Sequence, residues 1–357
     1  PVKSNFQTKK YIGIEAGIEK NADRFIDYLL LDEDRIPLAI IEAKKTSISV
    51  EKGDIQARTY RDDIEKQIKI KIPIFLTNGD KWYYVDDLDR RRQVKLPFSQ
   101  KDLHRIVSLM QKRKDPATIK INSRIVDRRR GVEAVKGVLE HFSKGYREAL
   151  INMATGTGKT RVAMAIIEAL RKADYIQKVL FVTDRISLGN QAKENGFKEF
   201  FPDDPVCELN EEGYSDTARL YVSTIQTLMS PQKPRGKFYE KFGTGAFDLI
   251  IFDEAHRSYY DKNNDIFKYF DALKIGLTAT PSTVETRDTF NLFNCDGNKP
   301  TVKYDYDSAV NDKVLVPYVS EIIETKVLLL GIEGKKLSKE LQQKLKEQEE
   351  EPEKFQT

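Results

Sequence analysis

Met153-Ala154-Thr155-Gly156-Thr157-Gly158-Lys159-Thr160 is the stretch on which the fold turns. The apolar run Ala149-Leu150-Ile151 precedes it and Val162-Ala163-Met164-Ala165-Ile166-Ile167 follows it, so the order reads strand, glycine-rich turn, helix. Such a turn aims backbone N–H groups and a helix N-terminus at one anionic point. In that setting Thr155, Gly156, Thr157 and Gly158 form a cradle, Lys159 reaches the β- and γ-phosphates, and the Thr160 hydroxyl is placed as a Mg²⁺ ligand. The expectation is an α/β chain with a nucleoside triphosphate site. The general pattern asks for glycine five residues before Gly158, where Met153 stands.

Working outward, the 357 residues exceed one ordinary core and predict two or three domains. The 60 Lys and Arg against 56 Asp and Glu leave a net charge of +4, a mildly basic balance compatible with nucleic acid. No apolar run approaches the roughly 18 residues of a membrane span, and the opening lacks a signal-peptide pattern, so a cytoplasmic protein with no membrane partner is expected. Cys207, Cys295 and three histidines are too few for a disulfide framework or a zinc cluster. The chain opens at Pro1 rather than methionine, and is expected to begin inside a longer protein.

A second element completes the triphosphate site. Phe247-Asp248-Leu249-Ile250-Ile251-Phe252 delivers Asp253-Glu254-Ala255-His256 from the end of an apolar strand. Asp253 is placed to hold Mg²⁺ through water, and Glu254 to orient and deprotonate the attacking water. Between the two elements lie Lys178 to Arg185, followed by Leu188-Gly189-Asn190-Gln191, and Tyr221 to Leu228; each reads as a core strand with a helix start. Thr224 and Gln226 are positioned to meet nucleic-acid phosphates, with sheet core plus a cap as the alternative. Ile275-Gly276-Leu277-Thr278-Ala279-Thr280-Pro281 closes the series.

Ala-Thr-Gly-Thr-Gly-Lys-Thr resembles motif I of superfamily-2 helicases and translocases, which often lack the first glycine. The 178–191 stretch resembles their motif Ia, and Leu277 to Pro281 their motif III. That resemblance implies a RecA-like parallel-sheet domain, with Arg185 or Gln191 beside the nucleic-acid track. It also implies that Thr278 and Thr280 link the acidic pair to DNA-facing loops, and that His256 couples hydrolysis to DNA; packing beneath the site is the other reading of His256. An aromatic and a glutamine often read adenine just before the helix that here spans Val132 to Phe142. Arg130-Gly131 occupy those places, so no adenine-reading residue carries over.

The N-terminal part has a different chemistry. Phe25 to Leu31, the turn Asp32-Glu33-Asp34-Arg35 and Pro37 to Lys45 predict a hairpin. Alternation puts Glu42 and Lys44 on one face beside Asp27. Two carboxylates can hold Mg²⁺ against a scissile phosphate, while a lysine orients water and stabilises the developing charge. Asp27, Glu42 and Lys44 resemble the PD-(D/E)xK nuclease core, with a charged hairpin rim as the alternative. Gln56 and Tyr60 share a helix face, and this Gln-x-x-x-Tyr pattern resembles RecB-family and type I restriction nucleases. Ile70 to Gly79 and Trp82 to Val85 predict two more strands about Asn78-Gly79. Arg90-Arg91-Arg92 is expected to be a solvated face, with DNA backbone contact as the alternative.

The predicted order is a PD-(D/E)xK-type nuclease domain over 1–115, a polar linker over 116–130, a first RecA-like domain over 131–310, and a connection with a polar helical tail over 311–357. The combination, over residues 23 to about 318, resembles the restriction (R, HsdR-type) subunit of type I restriction-modification enzymes. It implies ATP and Mg²⁺ as cofactors, and double-stranded DNA with methyltransferase (M) and specificity (S) subunits as partners. A helicase-nuclease of DNA repair, and a nucleotide-gated DNA-binding or remodelling module that does not cut, are the other readings. No Gln-x-x-Arg-x-x-Arg follows Thr280, so the second RecA-like domain is expected to be largely absent, and the piece to bind nucleotide without turnover.

Overall fold

Two sheets organise the chain. The structure, a computed structural model, describes residues 27–43, 50–209, 215, 217–232, 234, 236–254, 264–281 and 289–318. Of these, the residues through Leu315 belong to one compact unit, while Val316 onward belongs to a second.

In the first sheet, β1 (Tyr28–Leu31) and β2 (Pro37–Ala43) pair antiparallel, as the hairpin pattern predicts. The turn between them is closed by the Asp32 side chain, which accepts from Ile36 N–H at 2.7 Å, with Arg35 in the left-handed region. Helix α1 (Val50–Ile68) then crosses over, so β2 runs parallel to β3 (Ile74–Thr77). Asn78 and Gly79, at φ 95°, turn the chain into β4 (Trp82–Val85), which pairs with β5 (Arg91–Val94). The sheet order is β1-β2-β3-β4-β5. β3 is shorter than the sequence suggested, because Ile70 and Ile72 pack beneath α1 instead of extending the strand. One face is covered by Ala57, Tyr60 and Ile64 of α1, and the other by Leu103 and Met110 of α2 (Gln100–Lys112).

The second sheet has seven strands, all parallel: β6 (Glu148–Met153), β7 (Val179–Thr183), β8 (Val206–Glu208), β9 (Leu220–Thr224), β10 (Leu249–Asp253), β11 (Leu273–Thr278) and β12 (Val302–Tyr304). Their order is β12-β6-β11-β10-β7-β9-β8. Strands buried on both faces read as continuous apolar runs, which is why Val179 to Thr183 and Leu273 to Thr278 are buried throughout. Helices α3 (Arg129–Ser143) and α4 (Lys159–Lys172) cover one face with Val135, Val138, Phe142 and Ile166. An aromatic cluster of Phe238, Phe247, Phe270 and Phe293 covers the other. At Gly276 a Cβ would come within 2.5 Å of the Phe293 ring, so only glycine lets that ring lie against the strand. This is a RecA-like arrangement, with its site expected at the C-terminal strand ends.

The two sheets are joined by charge. Arg92 grips Asp271 with two hydrogen bonds of 2.6 and 2.7 Å, and Arg147 reaches the same carboxylate at 3.2 Å. Arg92 also bonds Asp86 at 3.2 Å and lies over the Tyr84 ring. On α2, Arg105 bonds Asp248 and the Gly245 carbonyl, while Asp248 accepts from the Gln177 and Lys178 amides at 2.8 Å. The expectation of a solvated Arg90–Arg92 face is therefore corrected for Arg90 and Arg92, while Arg91 is exposed as expected. Arg92 keeps 19% exposure and pairs across the interface, and Arg90 is bound to Asp86. Arg91 sits beside Asp54.

Burial pushes the Asp271 carboxyl up, but the guanidinium groups of Arg92 and Arg147 outweigh it and hold the group well below the carboxylate range. Its stabilising contribution is thus present above the unfolded value of about 3.9 and is lost as pH falls below it. Asp271→Asn leaves two guanidinium groups without their counter-charge and should cost about 3–5 kcal/mol by urea denaturation at neutral pH, with a flatter acid limb than the parent. A loss under about 1 kcal/mol would contradict this account.

Candidate nucleotide site and sheet edge

The turn after β6 is built from its own backbone. Ala154 N–H bonds the Tyr304 carbonyl of β12 at 2.9 Å, and Thr157 donates to the Ala154 carbonyl through its amide at 3.3 Å and its hydroxyl at 2.6 Å. Gly156 and Gly158 sit at φ 82° and 99°, a region costly for other residues. Helix α4 starts directly after Gly158, so the sequence expectation of a strand, turn and helix is met residue by residue.

Parallel pairing brings the acids to this turn. In register, Asp253 stands beside Leu277 and Thr278 beside Asn152, so the ends of β10, β11 and β6 line up. Lys159 Nζ is buried without a hydrogen-bond acceptor and faces Glu254 Oε1 at 3.7 Å. Asp253 Oδ1 accepts from the Glu254 amide at 3.1 Å, and Glu254 itself is held at φ 53°. Burial and then the neighbouring Glu254 charge push Asp253 up to about 6, against the pull of Lys159. A buried ammonium lacking an acceptor beside two crowded acids suits the phosphates of a nucleotide and a divalent cation.

Thr278 is buried and accepts from the Thr280 amide at 3.2 Å, so its hydroxyl shapes the turn after β11; Thr280 is exposed. Thr155 is exposed at the tip of the cradle. Arg185 and Gln191 are exposed at either end of α5 (Ile186–Ala192). The Thr224 hydroxyl caps the helical turn after β9, accepting from the Thr227 amide at 3.1 Å, and exposed Gln226 reaches Asp184 at 3.4 Å. His256 and Lys44 lie outside the described residues. A cavity of about 340 Å³ adjoins the cradle, lined by Arg128 to Gly131, Thr157, Tyr304, Asp312 and Val314. Arg130 is fixed there by Asp312 at 2.8 Å.

On the first sheet, Glu42 is 1% exposed and shares a face with Ile40, which packs against α1. Asp27 lies one step beyond the Tyr28–Ile41 pair, and its Oδ2 accepts from the Ala43 amide at 2.8 Å. Gln56 donates to the Tyr60 hydroxyl at 2.7 Å, and the Tyr60 ring belongs to the core under α1. No group of three or more His, Cys, Asp or Glu side chains is poised for a metal among the described residues. Nor is any helix among them long and apolar enough to cross a membrane.

Arg105, Asp248, Asp271 and Lys274 escape a sequence reading. A lone Asp at the foot of a strand looks like any turn residue, because its partner lies far away in the chain.

The comparisons with known proteins converge on this layout. A family described as "Type I restriction enzyme R protein N terminus (HSDR_N)" matches residues 10–93, and one described as "Type III restriction enzyme, res subunit" matches 124–283. The EcoAI type I restriction endonuclease subunit of Escherichia coli is 28% identical over 324 residues, covering 85% of this chain and 38% of its own length. The EcoKI endonuclease subunit of Escherichia coli K12 is 33% identical over 212 residues, covering 52% and 17% respectively. Together these matches support an HsdR-type subunit of a type I restriction enzyme. A fragment structure described as an HsdR subunit from Vibrio vulnificus YJ016 aligns with 87% of the chain and 54% of that fragment, at 26% identity and a TM-score of 0.42. This HsdR-type chain thus spans about two fifths of the EcoAI relative's length.

Crowding two acids in a buried site destabilises the ligand-free protein. Asp253→Asn should raise its melting temperature by about 2–4 °C and remove any further rise that Mg²⁺ and ATP together give the parent. Thermal melts with and without both ligands check this.

Proposed function

We propose that this HsdR-type chain is the motor and nuclease part of a type I restriction enzyme, using ATP to translocate duplex DNA and Mg²⁺-dependent chemistry to cut it. The observation that carries the motor reading is the buried Lys159 ammonium, which follows β6, facing Glu254 at the end of β10 with β11 lying between the two strands. Lys159 would neutralise the β- and γ-phosphates, and Glu254 would orient the attacking water and take its proton. Thr160 and Asp253 would hold Mg²⁺, which supplies charge neutralisation at the transferring phosphoryl group. The base would occupy the cavity beside Thr157 and Arg130. Arg185, Gln191, Thr224 and Gln226 would face DNA, with His256, Thr278 and Thr280 coupling it to hydrolysis.

For cleavage, Asp27 and Glu42 would hold a second Mg²⁺, with Lys44 orienting water and Gln56 and Tyr60 bracing the helix beside it. Support comes from the pairing that leads Asp27 to Glu42 and from the α1 crossover that packs Tyr60 against the same face of β2. Methyltransferase and specificity subunits would supply site recognition. One observation favours the non-cutting alternative: Asp27 already spends an oxygen on the Ala43 amide, as a structural hairpin rim would.

Separate losses test the two halves. Lys159→Ala should lower DNA-stimulated ATP hydrolysis by the assembled enzyme at least ~100-fold and stop cleavage with it. Asp27→Ala or Lys44→Ala should abolish cleavage while ATP hydrolysis continues. Cleavage that survives both latter changes would place the nuclease site elsewhere.

A further inference from the structure

Lys274 is out of keeping with its place. It lies on β11, a central strand of the motor sheet, beside Glu148 of β6 and Ile250 of β10 in register, and is 7% exposed. Its ammonium has one long hydrogen bond, to the Ala272 carbonyl at 3.4 Å, and rests 4.8 Å from the centre of the Phe267 ring. Among the described residues it forms no ion pair. Asp271, the nearest candidate along the chain, is engaged by Arg92 and Arg147. Burial, and then the Arg147 charge, pull the Lys274 ammonium down to about 8, so near neutral pH it stays mostly charged.

A buried ammonium that feels Glu148 and Asp271 but is in ion-pair contact with neither is among the costlier features a fold can carry. Here it opens into a cleft of about 490 Å³ between β5 of the first sheet and the foot of the second. The lining holds five cationic side chains, Arg92, Lys95, Arg147, Lys268 and Lys274, against two acidic ones, Glu148 and Asp271. Arg147 spends only Nη2 on Asp271, which leaves further guanidinium donors near Lys274. A planar fork and an ammonium side by side, with an excess of positive charge, match the oxygens of a phosphate group.

We propose that this cleft binds a phosphate group, with Lys274 and Arg147 as its principal ligands. It lies at the N-terminal ends of β11 and β6, opposite the nucleotide cradle, and is therefore a separate site. The phosphate belongs either to a small anion or to a DNA backbone that passes between the two sheets.

The test uses the whole chain carrying Lys159→Ala, so that the nucleotide cradle is silenced. Thermal melts are recorded against inorganic phosphate and, separately, a short blunt DNA duplex. A saturable rise with phosphate is expected, and Lys274→Met on the same background should weaken half-saturation by more than roughly tenfold. In phosphate-free buffer Lys274→Met should be no less stable than its parent, because a buried ammonium without an ion-pair contact has been removed. Lys274→Gln provides the same comparison should the Met variant fail to fold. A matching Lys274-dependent rise with the duplex assigns the phosphate to DNA; a rise with phosphate alone assigns it to a small anion. The proposal is overturned if neither probe gives a saturable rise. It is also overturned if the rise is as large without Lys274, which would be general salt stabilisation or another site.

Discussion

The contact between Arg92 and Asp271, reinforced by Arg147, is the constraint on which the relation of the two sheets rests. All three side chains are withdrawn from solvent, so the charges can be tolerated only together. Asp271 precedes β11 and Asp248 precedes β10, and both are gripped by arginines from the first sheet or from α2. The same two strands carry Thr278 and the Asp253–Glu254 pair at their other ends. Packing repeats the message: a Cβ on Gly245 would meet the Phe98 ring at 2.6 Å, so glycine is what lets that ring approach. Charge and packing thus tie the first sheet and α2 to the feet of the strands that carry the acids.

Opposite tensions shape the two ends of the parallel sheet. At the C-terminal end, two acids are crowded against each other and relieved in part by one lysine that lacks an acceptor. At the N-terminal end, the arginines and Lys274 outnumber the acids around the cleft. Each end thus holds an excess of one sign of charge that a ligand could satisfy, acids over the lysine at one and cations over the acids at the other. Covering both sheet faces with aliphatic and aromatic side chains supplies the stability that such strained polar sites draw down.

The likeness to restriction subunits covers both sheets. Glu42 is buried on the α1 side and Tyr60 is part of the core there, so each has a structural role whatever else it does.

Much of the fold was legible because its signals are local. The 149–167 stretch announces strand, turn and helix through apolar runs and two glycines at positive φ, and the hairpin of β1 and β2 follows from a turn closed by Asp32. The acids at 253 and 254 could be read as the end of a strand for the same reason. Arg90 to Arg92 misled because a charge run in sequence looks solvated until a partner appears, and the partner of Arg92 lies 179 residues away. Thr224 could be read either as a phosphate contact or as a cap, and only the hydrogen bond from Thr227 shows that it caps. By itself the sequence determined the strand and helix order, the phosphate cradle and the acids that answer it, since backbone conformation and burial periodicity act over a few residues. Only the tertiary structure decided which strands lie side by side, which arginines become buried links and that Lys274 faces a cleft, since ion pairing and burial depend on neighbours far away in the chain.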